Sequence, residues 1–224
     1  MPESHVPRPQ PAQDSEVPTG TRAALLDAGL HLFGKKGFDA TSTRELAERA
    51  GTNVASIAYH FGGKDGLHLA CGAELVRRFK AVIGSHPLPV PETAEAARAL
   101  LERILRQFTG FLLAGSQVSD LVGFMLREVS SNGPVLSLVY SNMIEPKHRE
   151  LCAIWARASG EPVESEALRL RVFSLLGQVL YFRIGHSIVA RRMDWEAFGP
   201  AEVDQITQIL IENLHRLLTP EDIK

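Results

Sequence analysis

The chain has 224 residues, 45% apolar and 22% charged, an ordinary globular balance with enough length for one or two buried cores. Leu, Ala, Arg and Glu dominate and only 7% of residues are aromatic, which favours helix over sheet. The formal charge of −2 excludes a uniformly basic nucleic-acid-binding chain, so any basic surface has to be local.

Residues 1–20 contain Pro2, Pro7, Pro9, Pro11 and Pro18, one basic residue, Arg8, and no apolar run. They are expected to form a disordered arm and are no signal peptide. No later apolar run approaches the length that spans a bilayer. Cys71 and Cys152 lie far apart and outside any CxxC pattern, as expected of buried thiols in a reduced, cytoplasmic protein.

Leu25, Ala28, Gly29, Leu32 and Phe33 recur with helical period and predict a helix from about Thr21 to Lys36, with Thr19 or Thr21 as its cap and Gly37 as its stop. Residues 41–64 then read as two short helices about a tight turn. Ser42 caps the first, with Glu45 at capping-box spacing, and Leu46, Ala47 and Ala50 face inward. Gly51 falls at the C′ position. Asn53 caps the second helix, in which Ile57 and Phe61 point to a core. Val54, Ala55, Ser56, Ala58, Tyr59 and His60 are left to divide between solvent and packing. A helix-turn-helix of this kind sends the N-terminal part of its second helix into the DNA major groove. Residues 21–64 carry six basic and four acidic side chains, a net of +2, so affinity would need two such surfaces in a dimer.

A further helix is predicted from Gly63–Lys64 to Ile83, ended by the three prolines of residues 85–92. Helices follow at about 93–114, 118–130, 135–159, 163–192 and 200–218. Pro146 should kink or split the third of these near Ile144–Glu145. The last two carry Leu168, Val172, Leu175, Leu176, Val179, Leu180 and Ile184, then Val203, Ile206, Ile209, Leu210, Leu214, Leu217 and Leu218. Paired across a two-fold axis, these faces would make a four-helix dimer seam, with Gly177 and Gly185 allowing close approach; the alternative is that both bury within one chain.

The stretch TRAALLDAGLHLFGKKGFDATSTRELAERAGTNVASIAYHFGGKDGL, residues 21–67, resembles the N-terminal domain of the TetR family of bacterial transcriptional regulators. Phe33, Gly37–Phe38, Thr41–Thr43, Ala50–Gly51, Tyr59–Phe61, Lys64 and Leu67 carry the likeness. The resemblance implies an all-α chain. A three-helix helix-turn-helix DNA-binding domain at 21–66 would precede a larger helical ligand-binding and dimerisation domain at 67–224. The implied partners are a double-stranded DNA operator, a small-molecule effector and a second copy of the chain, with no cofactor and no membrane. The stretch 124–151 further resembles a subgroup related to regulators of drug-sensitivity and efflux genes.

Sorted by role, Thr43, Tyr59, His60 and Lys64 are expected to position the DNA backbone, and Arg44, Val54, Ala55 and Ser56 to read bases. Arg44 could equally bind phosphate or pair with Glu48, and the Tyr59 ring could be core with only its hydroxyl useful. Arg22 is a possible phosphate contact. Where many family members carry tyrosine this chain has Ala58, so one common phosphate contact is missing. Arg127, Glu128, Asn132, Tyr140, His148, Arg183 and His186 are the candidate polar groups of the effector pocket. Arg127 and Glu128 could instead bridge each other, and His148 and His186 could be ordinary partly buried histidines.

Two other classes compete. An enzyme is disfavoured by the absence of HExxH, GxSxG, P-loop and GxGxxG patterns. A helical protein-interaction module without sequence-specific DNA binding would explain the apolar helices, but leaves Thr43, Lys64 and the outward face of the second short helix without a purpose. Among regulators the resemblance favours a repressor.

Overall fold

Capping chemistry and apolar period divide the chain into helices where the sequence predicts breaks. The computed structural model describes residues 18–219 apart from 85, 114, 115 and 197, so the expected arm lies almost wholly outside the described residues. The helices are α1 (Gly20–Lys36), α2 (Thr43–Arg49), α3 (Ala55–Phe61), α4 (Lys64–Ile83), α5 (Ala94–Leu113), α6 (Ser116–Ser131) and α7 (Pro134–Val139). After a π-helical turn at Tyr140–Ile144 come α8 (Glu145–Ser159), α9 (Glu166–Ile184), α10 (His186–Met193) and α11 (Pro200–Leu218). No strand occurs among the described residues.

Two expected helices are divided. Pro146 has no N–H to give to the turn before it, and the chain accommodates this by a wide turn in which the Glu145 N–H reaches back to the Tyr140 carbonyl. The predicted helix at 163–192 is two helices, α9 and α10, bent by 74° at Gly185. The Gly185 N–H still donates to the Tyr181 carbonyl at 2.7 Å, but a side chain at this position would lie 3.1 Å from that same oxygen. Gly185 therefore marks where the chain turns.

Two apolar cores result. One gathers α5, α8, α9 and α11 around the buried Trp155, Leu112, Leu168 and Leu210. It takes up Leu168, Val172, Leu175 and Val179 together with Val203, Ile206, Leu214 and Leu218. Most of the apolar face expected to form the dimer seam is thus buried within the chain, because α9 and α11 each turn their widest apolar stripe toward α5 and α8. Both cysteines are buried and unpaired, and burial pushes both thiols up, Cys152 to about 11.

The other core joins α1–α4 to α6 and α7 through Leu25, Phe33, Leu46, Ile57, Phe124 and Val135. The contact between α1 and α6 is a backbone contact: a side chain on Gly34 would approach the Phe124 nitrogen to 2.8 Å. Polar clasps flank it. His31 Nδ1 hydrogen-bonds Asp120 Oδ1 at 2.9 Å, and Arg127 Nη2 donates to the Lys35 carbonyl at 3.0 Å. Gly34→Val should force the helices apart and cost about 1–3 kcal/mol in urea unfolding. Gly110, in the last turn of α5 with nothing near its missing side chain, serves as the opposite case. Gly110→Ala should gain about 0.5–1 kcal/mol from helix propensity alone. Equal effects at the two sites would refute the close approach at Gly34.

Candidate nucleic-acid interface

The loop before α2 is locked from below. Thr41 is buried, and its hydroxyl donates to the carbonyls of Gly37 at 2.7 Å and Leu32 at 3.2 Å. Ser42 then forms the predicted capping box. Its Oγ accepts from the Glu45 N–H at 3.2 Å, and Glu45 Oε2 accepts from the Ser42 N–H at 3.0 Å. Lys36, at the end of α1, pairs with the other Glu45 oxygen. Hydrogen bonds from Lys36 and Ser42 hold the Glu45 carboxyl down at about 2.

The turn that defines the motif is a Schellman closure. The Thr52 N–H donates to the Ala47 carbonyl at 2.9 Å and the Gly51 N–H to the Glu48 carbonyl at 3.1 Å, with Gly51 at φ +64°. Asn53 Oδ1 next accepts from the Ser56 N–H at 3.0 Å and lies 3.2 Å from the Ser56 hydroxyl, which also meets Thr52 Oγ1 at 2.8 Å. Asn53 is the working cap of α3, as its position predicts. At the far end Gly62 is left-handed at φ +74°, and a side chain on Gly66 would run into the Phe61 carbonyl, so α4 leaves α3 by a turn that glycine alone permits.

This frame buries Ile57 and half-buries Phe61, and presents Val54, Ala55, Ala58 and Tyr59 as one outward stripe. Tyr59 is 85% exposed, so its ring is not core. It meets the half-buried His60 edge to face, with ring centroids 4.9 Å apart. Arg44 is exposed and, among the described residues, makes no ion pair with Glu48. Thr43 opens α2 half-buried beside it. Lys64 opens α4 with its ammonium 4.2 Å from the Phe38 ring centroid. The Arg22 guanidinium lies 5.4 Å from the Phe61 ring centroid. The motif thus brings the eight expected DNA-contacting residues onto the elements around one turn. Ser56 differs from the rest in having its hydroxyl engaged in the cap of α3.

Of the candidate pocket residues, Arg127 and Glu128 line one cleft between α1, α4 and α6, and the other five lie outside its lining. His148 is buried, stacked on Phe173 with centroids 3.9 Å apart. Its Nε2 lies 3.2 Å from the Arg169 carbonyl, which can only accept, so Nε2 carries the proton and Nδ1 accepts from the Cys152 thiol at 3.6 Å. His148 is a satisfied core histidine. Arg183 bonds the Ser119 hydroxyl, while Tyr140 and His186 are exposed. Asn132 takes the left-handed turn between α6 and α7 at φ +51°. Arg127 and Glu128 do not bridge each other. Arg127 reaches α1, and Glu128 Oε1 accepts from His68 Nε2 at 2.8 Å, buried at both ends. His68 escaped sequence reasoning because its partner lies 60 residues away.

A locked helix-turn-helix with one outward-facing stripe on its second helix defines a DNA-binding protein of the transcriptional-regulator class. Residues 25–71 match the model of the bacterial regulatory proteins of the tetR family, and residues 97–219 match the C-terminal domain of the HTH-type transcriptional dual regulator CecR. A dual regulator CecR from Shigella flexneri is 33% identical over 205 residues, covering 87% of this chain and 89% of the relative. The regulatory protein RaaS of Mycobacterium tuberculosis is 25% identical over 158 residues, covering 69% and 66% of the two chains. A TetR-like regulator from Rhodococcus sp. RHA1 shares the fold, with a TM-score of 0.64 at 21% identity over 92% of this chain and all of its own. The chain belongs to the TetR family of transcriptional regulators and carries a CecR-type C-terminal domain. It is a regulator, not an enzyme.

The capping box carries a pH signature. Glu45 is held below its ordinary 4.5, so its contribution is full above that value and is lost as pH falls toward about 2. The urea midpoint of the native chain should exceed that of Glu45→Gln at pH 6, and the gap should narrow below pH ~4.5. A gap that stays constant down to pH ~3 would count against the Lys36–Glu45–Ser42 clasp.

Proposed function

We propose that the chain is a homodimeric repressor that occupies a palindromic operator through α3 and is released when a small molecule binds the C-terminal domain. The observation that carries this reading is the outward stripe of α3, held by glycine-dependent turns at both ends. Thr43, Tyr59, His60 and Lys64 are assigned to the phosphate backbone, and Arg44, Val54 and Ala55 to base edges. Ser56 is assigned to the same surface, where its first effect is on the capping of α3. The reader is taken as residues 21–66 and the sensing and dimerising part as 67–224.

The dimer surface is assigned to the exposed side of α9 and α11. There Ser174, Gly177, Tyr181, Ile209 and Asn213 line a shallow groove of ≈ 440 Å³, with Gln178 and Asn213 hydrogen-bonded to each other at 2.8 Å. Tyr181 and Ile209 are more than half exposed there, an apolar patch that a second copy would cover. A protein of the same fold, AibR, has been seen with isovaleryl coenzyme A and operator DNA together; its TM-score is 0.63 at 19% identity over 87% of this chain and 97% of its own. For the present chain an effector acts only through its different affinity for the DNA-binding and released arrangements. The Shigella relative is named a dual regulator, which favours activation at some promoters as the second reading.

Anisotropy titration on duplexes from the promoter of the chain's own gene, beside random duplexes at equal salt, tests the reading. Selective binding should weaken as salt rises. Lys64→Ala should weaken binding to every duplex and lower the slope of log K against log salt by about 1. Wild-type affinity and slope in Lys64→Ala would remove that lysine from the interface. Gly177→Glu meets nothing within the chain and should fold, yet sediment as a monomer and lose operator affinity. A stable Gly177→Glu dimer would contradict the assigned seam.

A further inference from the structure

We propose that the cleft between α1, α4 and α6 is a binding site for a compact organic cation, an amidinium or guanidinium, anchored on Glu128. The cleft encloses ≈ 650 Å³ at the joint between the DNA reader and the rest of the chain. Its walls come from the end of α1 and the loop after it, the first turns of α4, and the end of α6.

Glu128 supplies the argument. Its side chain is 5% exposed, and only one of its two oxygens is satisfied. Oε1 accepts from His68, while Oε2 is buried with no hydrogen-bond partner. A carboxylate oxygen left this way costs free energy that a bound donor would recover. Gly133, which lines the cleft, stands beside that oxygen. A side chain on Gly133 would stand 3.3 Å from Oε2 and 3.4 Å from the Ser131 hydroxyl. Yet Gly133 has φ −78° and ψ 178°, an extended conformation open to any residue. Backbone strain does not demand glycine here; its missing side chain leaves the space beside Oε2 unfilled.

The acids around the cleft outnumber its bases: Lys36 is paired with Glu45, while Arg127, bonded to the Lys35 carbonyl, keeps its charge. Its remaining acids, Asp39 and Asp65, have no ion-pair partner among the described residues. Phe38, Leu69 and Pro134 add apolar surface for the body of a ligand. Among the described residues no three ligating side chains are placed to hold a metal ion. A planar cation with a fork of N–H donors and a weakly held hydration shell suits a buried carboxylate better than an ammonium does. Any effect of such a ligand on operator affinity rests on the regulator reading above, whereas the binding itself does not.

Isothermal titration of the full chain without DNA, using benzamidine and its neutral isostere benzamide, tests the site. Benzamidine should bind at least tenfold more tightly than benzamide. Glu128→Gln and Gly133→Ala, with helicity verified by circular dichroism, should each weaken benzamidine at least tenfold. Because Glu128→Gln also disturbs His68, Gly133→Ala is the decisive variant, since it keeps the carboxylate while its methyl, 3.3 Å from Oε2, takes the space beside it. Equal binding of the two probes, unchanged affinity in folded Gly133→Ala, or no binding of benzamidine at millimolar concentration would each overturn the proposal. A chain that binds benzamidine but no DNA would overturn the regulator reading and leave this site standing; the converse result would do the reverse.

Discussion

The hydrogen bond between His68 and Glu128 ties α4, the helix that follows α3, to α6. His68 stands in the second turn of α4, directly after the recognition helix, and is enclosed by the rings of Phe33, Phe38 and Phe124. Glu128 stands near the end of α6. Both ends are buried, so removing either partner strands a polar group at a cost of about 1–3 kcal/mol. On its other side α6 rests directly on the backbone of α1 at Gly34. One helix of the larger part thus grips both helices that set the attitude of α3. A rearrangement in the C-terminal core that moves α6 has to carry the reader with it or break this bond.

The reading surface is small and chemically plain. Val54, Ala55 and Ala58 offer methyl groups, and Ser56 spends its hydroxyl on capping. Such a surface suits thymine methyls and groove shape more than dense hydrogen-bond readout. On the proposed function, affinity then depends on phosphate contacts and on holding two copies at a fixed spacing. That places the mechanical demand on the rigid turns around Gly51, Gly62 and Gly66. It also explains why so much of the local sequence is devoted to caps: Thr41, Ser42, Glu45 and Asn53 each satisfy backbone groups at a helix end.

Legibility in the sequence followed the range of the interaction. The capping box, Gly51, Asn53 and the breaks at 132–134 and 160–162 rest on contacts within a few residues and were predicted by type and position. The family resemblance pointed to the residues expected to contact DNA, and these lie on the elements of the helix-turn-helix. The split at Pro146 was foreseen, but its resolution as a π-turn was not, because the pattern of apolar residues continues through it. The break at Gly185 was hidden for the same reason. Long-range partners left no trace: Glu128 stands among the candidate pocket residues, while nothing in the local sequence marks His68, 60 positions earlier, as its partner. The dimer seam was drawn on the wider apolar stripe of α9 and α11, and the chain's own core claimed that stripe first, since burial against α5 and α8 needs no second copy. The cleft at Gly133 depends on a side chain that is absent, which no periodicity reveals.

The central claim is that two copies of α3, fixed by the α4–α6 joint, enter successive major grooves of one duplex. Hydroxyl-radical footprinting on the promoter of the chain's own gene measures this most directly. The account predicts two protected patches related by two-fold symmetry, with centres about 10–10.5 base pairs apart or a multiple of that, and their joint loss in the Gly177→Glu variant. A single unpaired patch, or protection spread evenly along the duplex, would contradict it.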